Sequence, residues 1–182
     1  MFDCGIPFTK MKSELEKVDA LLITHSHSDH IKPSTFERIR REFPDILVCA
    51  NADVAYQYDV DKIVGTAPFY LSKKQKIIPF NGVHDVPVTG YIVQMKRMNI
   101  LYMTDTSRVD PPEMPFDYIF LESNFDERKL REQAKQYRRR GYDPYFSVTR
   151  HLSTQKCKEF YYVHRRNEKS VLIELHQSKR FY

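Results

Sequence analysis

The stretch LLITHSHSDHI, residues 21–31, decides the fold. An apolar run from Leu21 to Ile23 releases into Thr24, and the residues that follow include His25, His27, Asp29 and His30. The chain has seven histidines in 182 residues, and three of them stand here. A turn-like segment leaving a buried strand lets such side chains converge on one point. Imidazole nitrogens and carboxylate oxygens suit Zn²⁺, Mn²⁺ or Fe²⁺, and the lack of a thiolate gives no preference for softer metals. So local a cluster cannot saturate two ions, and further ligands must come from elsewhere in the chain.

Working outward, short apolar runs at 19–23, 46–49, 98–103, 117–121 and 171–175 read as buried strands. Helical signals lie between them. Ser34 with Glu37 three residues later has the form of a capping box, and Phe36, Ile39 and Phe43 then give an apolar stripe. The segment 126–140, DERKLREQAKQYRRR, carries acids in its first turn and bases in its last, with Gly141 beyond. That arrangement complements a helix dipole, so a solvated helix is expected ahead of a nucleic-acid contact. A third helix is expected from near Ser153, where Cys157, Phe160, Tyr161 and His164 share one stripe and His164 reads as a core histidine. Strands alternating with helices indicate an α/β architecture.

Bulk properties agree. Hydrophobic residues make up 41% and charged residues 29%, which suits one globular domain over 1–182. No apolar stretch is long enough to span a membrane, and MFDCGIPFTK lacks the regions of a secretory signal, so a cytoplasmic setting is expected. Cys4, Cys49 and Cys157 are odd in number and far apart, and each reads as a reduced, buried thiol. The net charge of +5 leans toward an anionic partner, although many basic proteins bind no nucleic acid.

Three more residues are plausible ligands: His84 in NGVHDVPVTGY, Asp105 in YMTDTS after a strand and His176 in ELHQS after the last strand, since residues just beyond strand ends gather along one edge of an α/β sheet. Each taken singly reads equally well as a structural polar residue. Taken in order with His25, His27, Asp29 and His30, they resemble the metal motifs of the metallo-β-lactamase-fold hydrolases over essentially the whole chain. The resemblance implies an αββα sandwich and a centre of two divalent metal ions, Zn²⁺ before Mn²⁺ or Fe²⁺. His25, His27 and His84 would hold one ion, Asp29, His30 and His176 the other, and Asp105 would bridge them. Asp3, in FDCG, resembles a structural aspartate that precedes the metal loop.

Glu122 in LESNFD and His151 in TRHLS resemble the Leu-Glu-Xaa-Asn and His-Leu-Ser segments of the WalJ/YycJ-type exonucleases and their phage-encoded relatives. They also follow the order of the glutamate and histidine pair in RNase Z. That comparison makes Asp29, Glu122 and His151 the catalytic candidates, with His151 as proton donor to the leaving oxygen and Glu122 orienting it. Packing at the start of a helix is the alternative for His151. The chain departs from the family in three places. Met1 stands almost on the Asp-Cys-Gly motif, so either the N-terminal strands are trimmed or another chain covers the exposed sheet edge, for which a homodimer through that edge is the expectation. Phe125 replaces a histidine frequent in the bacterial exonucleases, and Thr149 with Arg150 replaces a small residue before the His-Leu-Ser segment.

Two divalent ions sharing a bridging hydroxide suit in-line displacement at a phosphodiester. With Asp29, Asp105 and hydroxide counted, about one positive charge remains at the centre to attract an anion. The expected function is therefore hydrolysis of DNA, RNA or a cyclic nucleotide, with no membrane partner. A lactone, ester or thioester hydrolase on the same centre is the rival enzyme, and a metal-stabilised binding module without turnover is the rival from another class. Arg138, Arg139, Arg140 and Arg150 read equally well as phosphate contacts and as ordinary surface charge.

Overall fold

Leu21 and Leu22 are neighbours in sequence yet belong to different cores, and that division sets the architecture. In the computed structural model, which describes residues 1–139, 141 and 143–182, strand β1 (Ala20–Leu22) pairs in parallel with β2 (Leu47–Ala50). Strand β3 (Lys62–Ile63) adds to β2, again in parallel. Side chains alternate across a strand. Leu21, Ile23, Val48 and Ala50 meet Leu15 of α1 (Lys12–Leu15), Phe36 and Ile39 of α2 (Pro33–Glu42) and Val54 of α3 (Ala52–Gln57). Leu22 and Cys49 instead meet Ile77 and Tyr91, which belong to a second sheet.

The second sheet runs in chain order: β4 (Phe69–Ser72), β5 (Gln75–Asn81), β6 (Thr89–Met95), β7 (Met98–Met103), β8 (Tyr118–Glu122) and β9 (Val171–Leu175). Pairing is antiparallel as far as β7 and parallel from β7 to β9. Its outer face, with Ile78, Ile92, Leu101, Met103, Ile119 and Leu121, packs on Cys157 and Phe160 of α6 (Thr154–His164). The layers are helix, sheet, sheet and helix, the expected αββα sandwich. Two remaining helices, α4 (Glu127–Arg139) and α5 (Pro144–Val148), meet through Leu130 and Val148 over Phe181.

The apolar runs read from the sequence are β1, β2, β7, β8 and β9; β1 is buried throughout, whereas β9, at the edge of the second sheet, is only half-buried. The capping box is a correction. Helix α2 opens at Pro33, with Lys32 as N-cap and no side-chain cap bond. Proline pre-sets the first helical residue, which moves Ser34 inside the first turn, past the position from which it could cap. His164 is half-buried rather than in the core, stacked on Phe160 at 4.0 Å and remote from the site described below. All three cysteines are free and buried, as expected. Helix α4 fills the expected 126–140 segment as far as Arg139, Arg140 lies outside the described residues, and Gly141 follows at φ 78°. No helix among the described residues is long and apolar enough to cross a membrane.

The amino-terminal residues lie against β1. Leu22 N–H donates to the Met1 carbonyl and Asp3 N–H to the Leu22 carbonyl, both at 3.0 Å, so the β1 edge expected to stand open carries this segment. Gly5 then passes so close to the metal loop that a Cβ there would sit 1.6 Å from the Asp29 carbonyl oxygen. Only glycine allows that approach.

Candidate metal centre

Strands β5, β7, β8 and β9 run in one direction, so their carboxyl ends share an edge, the usual place for a site in an α/β sheet. His84 follows β5, Asp105 follows β7, Glu122 ends β8 and His176 follows β9. The His25 to His30 loop after β1 meets them there, and His151 arrives just ahead of α6. Asp3, Asp105 and His176 adopt φ of 54°, 47° and 52°. This left-handed region costs a residue with a Cβ about 1 kcal/mol or more and persists where surrounding contacts enforce it.

The hydrogen bonds of His25 test whether these residues fit a cation. Thr24 Oγ1 lies 3.0 Å from each Asp3 carboxylate oxygen and 3.0 Å from His25 Nδ1. A hydroxyl has one proton; donated to Asp3, it leaves the oxygen to accept from His25 Nδ1–H. The His25 Nε2 lone pair then faces Asp105 Oδ2 at 3.4 Å, in a wholly buried ring, with no hydrogen-bond partner. An unpartnered buried nitrogen costs about 1–3 kcal/mol, and a bound cation would remove that cost. The donor set fits a borderline divalent ion, and the thiols stand apart from it: burial pushes Cys4 and Cys157 up to about 12 and Cys49 up to about 11.

Around Asp105 the donor atoms form three groups, each with all members within 4.8 Å of one another: His25, His27, His84 and Asp105; Asp29, His30 and Asp105; and Asp105, Glu122, His151 and His176. Asp105 belongs to all three. His30 donates from Nδ1 to Asp3 Oδ2 at 2.8 Å, while its Nε2 lies 3.2 Å from Asp105 and 3.7 Å from Asp29. His176 Nδ1 stands 2.5 Å from Asp105 Oδ1 and 2.9 Å from Glu122 Oε1. His176 therefore reaches Asp105 as expected but groups with His151, not with Asp29 and His30. Glu122, wholly buried, accepts His151 Nδ1–H at 2.7 Å, Thr106 N–H at 2.7 Å and Leu152 N–H at 3.2 Å.

The charges follow from these contacts. Burial would raise the Asp105 carboxyl, but hydrogen bonds from His176 and His30 hold it well below the usual range. Burial would lower His30, yet its bonds to Asp105 and Asp3 prevail and raise it to about 10. Asp105 first, then Glu122, raises His176 to about 10. His84 goes the other way, lowered by burial.

Asp85 is a site residue that sequence reasoning missed. Its Oδ1 lies 3.0 Å from His84 Nε2 and 3.6 Å from His27 Nε2, and its other oxygen pairs with Arg150. An acid directly after a ligand histidine was the available signal. Arg150 also accepts His84 Nδ1–H on its backbone carbonyl at 3.3 Å. Arg138 is engaged elsewhere, with Asp143 at 3.4 Å and over the Tyr145 ring. Phe125 and Thr149, two of the departures noted in the sequence, both line a cavity that His151 also lines.

The sequence matches the family described as "Beta-lactamase superfamily domain" over residues 2–176. No curated protein matches it. Among solved structures it is similar to the metallo-beta-lactamase fold protein YhfI from Bacillus subtilis, at 16% identity and a TM-score of 0.71 over 98% of this chain and 73% of that one. It is also similar to human tRNase Z, short form, at 17% identity and a TM-score of 0.64 over 98% of this chain and 82% of that one. A diphosphatase from the PhnP family is similar at 16% identity and a TM-score of 0.65, over 99% of this chain and 68% of that one. Likeness at such low identity speaks for the fold, and the fold is the metallo-β-lactamase sandwich that the layers already describe. With a family match that runs from Phe2 to the last candidate ligand, His176, this chain belongs to the beta-lactamase superfamily, a family of metal-dependent hydrolases.

Proposed function

We propose that this protein is a dinuclear metal-dependent phosphodiesterase acting on nucleic acid or a cyclic nucleotide. His151 carries the reading: its Nδ1 is held 2.7 Å from a wholly buried carboxylate, beside Asp105 and His176. An imidazole fixed at one nitrogen presents the other to a substrate. A phosphodiester whose leaving group departs as an alkoxide needs a proton near neutral pH, which such a histidine supplies. Glu122 is in turn pinned by two backbone N–H groups, so the ring is aimed.

His25, His27, His84 and Asp105 would hold one ion, and Asp29, His30 and Asp105 with His176 the other, Zn²⁺ being the preferred metal. When bound, two such ions polarise the phosphoryl group and make water nucleophilic at neutral pH. The chain's own residues do the rest. Asp3 fixes His30 and, through Thr24, His25. His151 gives its proton to the leaving oxygen as the P–O bond breaks with its electron pair on that oxygen, and solvent restores the proton. Asp29, exposed beside His30, is the open carboxylate of the site. The names of two similar structures, a tRNase Z and a diphosphatase, support phosphorus–oxygen chemistry. Buried free thiols suit a reducing, cytoplasmic setting. A homodimer through a sheet edge is part of the same proposal, and light scattering that finds a monomer at high concentration removes it.

The test uses metal-loaded protein with its metal content determined, on a dinucleotide, bis(p-nitrophenyl) phosphate and a lactone. Cleavage of both diesters is expected. His151→Ala loses about 10²-fold or more on the dinucleotide and less on the aryl diester, whose leaving group needs no proton. Turnover of the lactone alone, or equal loss on both diesters, overturns the reading.

A further inference from the structure

Of the residues of the candidate metal centre, His151 alone lines a cavity of about 360 Å³ between α4, α5 and the start of α6. That is within the usual size of a ligand pocket. Its wall differs in chemistry from the centre. Phe125, Leu130, Tyr145 and Val148 give it an apolar side with two aromatic rings, and Arg131 and Lys156 give it two cations. Neither cation is in an ion pair among the described residues. The one acid on this wall, Glu127, is taken by the Ser153 hydroxyl at 2.6 Å. Aromatic rings beside unpaired cations match a base that stacks and a phosphate that needs neutralising. A second cavity of about 370 Å³ shares Ser107 and Lys156 with the first and continues along α6 past Glu159 and Phe160, with Arg108, paired to Asp110 at 3.6 Å, on its other side.

We propose that this line of cavities holds the leaving-side nucleotide and the one beyond it, so that the substrate is a linear single-stranded nucleic acid. The inference rests on the phosphodiesterase reading, because His151 as proton donor places the leaving oxygen, and whatever it carries, on this side. A 3′,5′-cyclic mononucleotide keeps its leaving oxygen on the same nucleoside and has no second nucleotide to fill the further cavity. The two cations then meet successive backbone phosphates, while Phe125 and Tyr145 meet bases without reading sequence.

The experiment measures KM and kcat of metal-loaded protein on a short single-stranded oligonucleotide and on a 3′,5′-cyclic nucleotide, together with fluorescence anisotropy of the same labelled oligonucleotide. Lys156→Ala and Tyr145→Ala are compared with Lys158→Ala, a control on α6 outside both cavities. Each test variant is expected to raise the oligonucleotide KM about tenfold and to weaken its binding in parallel, with a smaller change on the cyclic nucleotide, while Lys158→Ala leaves every value in place. An oligonucleotide that is cut with KM and binding unchanged in both variants overturns the groove and leaves the phosphodiesterase. An equal or larger rise on the cyclic nucleotide also overturns it. Binding weakened by Lys156→Ala in a protein that cleaves no diester overturns the enzymatic reading and supports the groove as a binding surface.

Discussion

The two halves of the candidate centre hold their histidines by different means. In the first, neutral groups fix the Nδ1 atoms, the Thr24 hydroxyl at His25 and the Arg150 carbonyl at His84, while the exposed Asp85 carboxylate stands 3.0 Å from His84 Nε2. In the second, His30 leans on Asp3, and His151 and His176 lean on Glu122, all carboxylates. Neutral partners leave a bare nitrogen, as at the unpartnered His25 Nε2. Carboxylate partners instead favour the imidazolium, and His30 and His176 are both raised to about 10. The first half is thus preformed for a cation, whereas in the second, protons supply the positive charge that Asp105 requires.

Asp105 joins the halves, so its loss has the largest expected effect. Asp105→Asn removes the one donor common to all three groups. Turnover should fall more than about a hundredfold, with at least one ion lost by elemental analysis. Two retained ions and full turnover would dismiss Asp105 as the bridge.

Glu122→Gln separates the halves. It keeps the shape of the side chain and the backbone contacts to Oε2 but withdraws charge from His151 and His176 only. A fall in kcat of about 10- to 100-fold is expected, with the first-half ion still bound. Equal loss of both ions would show that the halves are not independent.

The proton content gives a subtler separation. A histidine raised from 6.5 to about 10 stays protonated across that window in the folded, metal-free protein. It stabilises that state fully below pH 6.5, and the contribution is lost as pH climbs toward about 10. Metal must displace these protons, so affinity in the second half should rise with pH through the window, up to about tenfold per unit for each proton released. Calorimetry in buffers of different ionisation heat counts the protons. Proton release on binding the first ion as large as on the second would break the distinction between the halves.

How much of this was legible in the sequence follows the same division. His25, His27, Asp29 and His30 show themselves because they are adjacent, and Asp105 and His176 because each follows an apolar run, whereas His84 shows itself only through its place in the order of the family motifs. Asp85 did not show itself, since an acid beside a histidine is common and its contact with His27 arises only when two distant loops meet. Strands β4 to β6 were missed because β4 is short and ends at Lys73 and Lys74, Lys76 and Pro79 interrupt β5, and Gly90 sits inside β6. Proline is tolerated in β5 since β4 pairs β5 only over Gln75, Lys76 and Ile77, leaving Pro79 on a locally open edge. The cavity beside His151 is assembled from α4, α5 and α6, and no single stretch of sequence carries it.

The smallest effect concerns how each half is braced by the helix that follows it. Both helices carry a serine near their start, and the sequence reads them alike. Helix α2, after His30, begins at Pro33 without a side-chain cap, and Ser34 is exposed. Helix α6, after His151, is capped by Ser153, which is buried, accepts Lys156 N–H at 3.2 Å and donates to Glu127 at 2.6 Å. Ser34→Ala should stay within about 0.5 kcal/mol. Ser153→Ala should cost about 1–2 kcal/mol, or roughly 2–8 °C in Tm for a chain of this size. Because Ser153 fixes the backbone two residues beyond His151, the same variant should also lower kcat a few-fold, and Ser34→Ala should not. Matching thermal shifts in the two variants would mean that the second half is braced by Glu122 alone, and the aim of His151 would then rest on that single carboxylate.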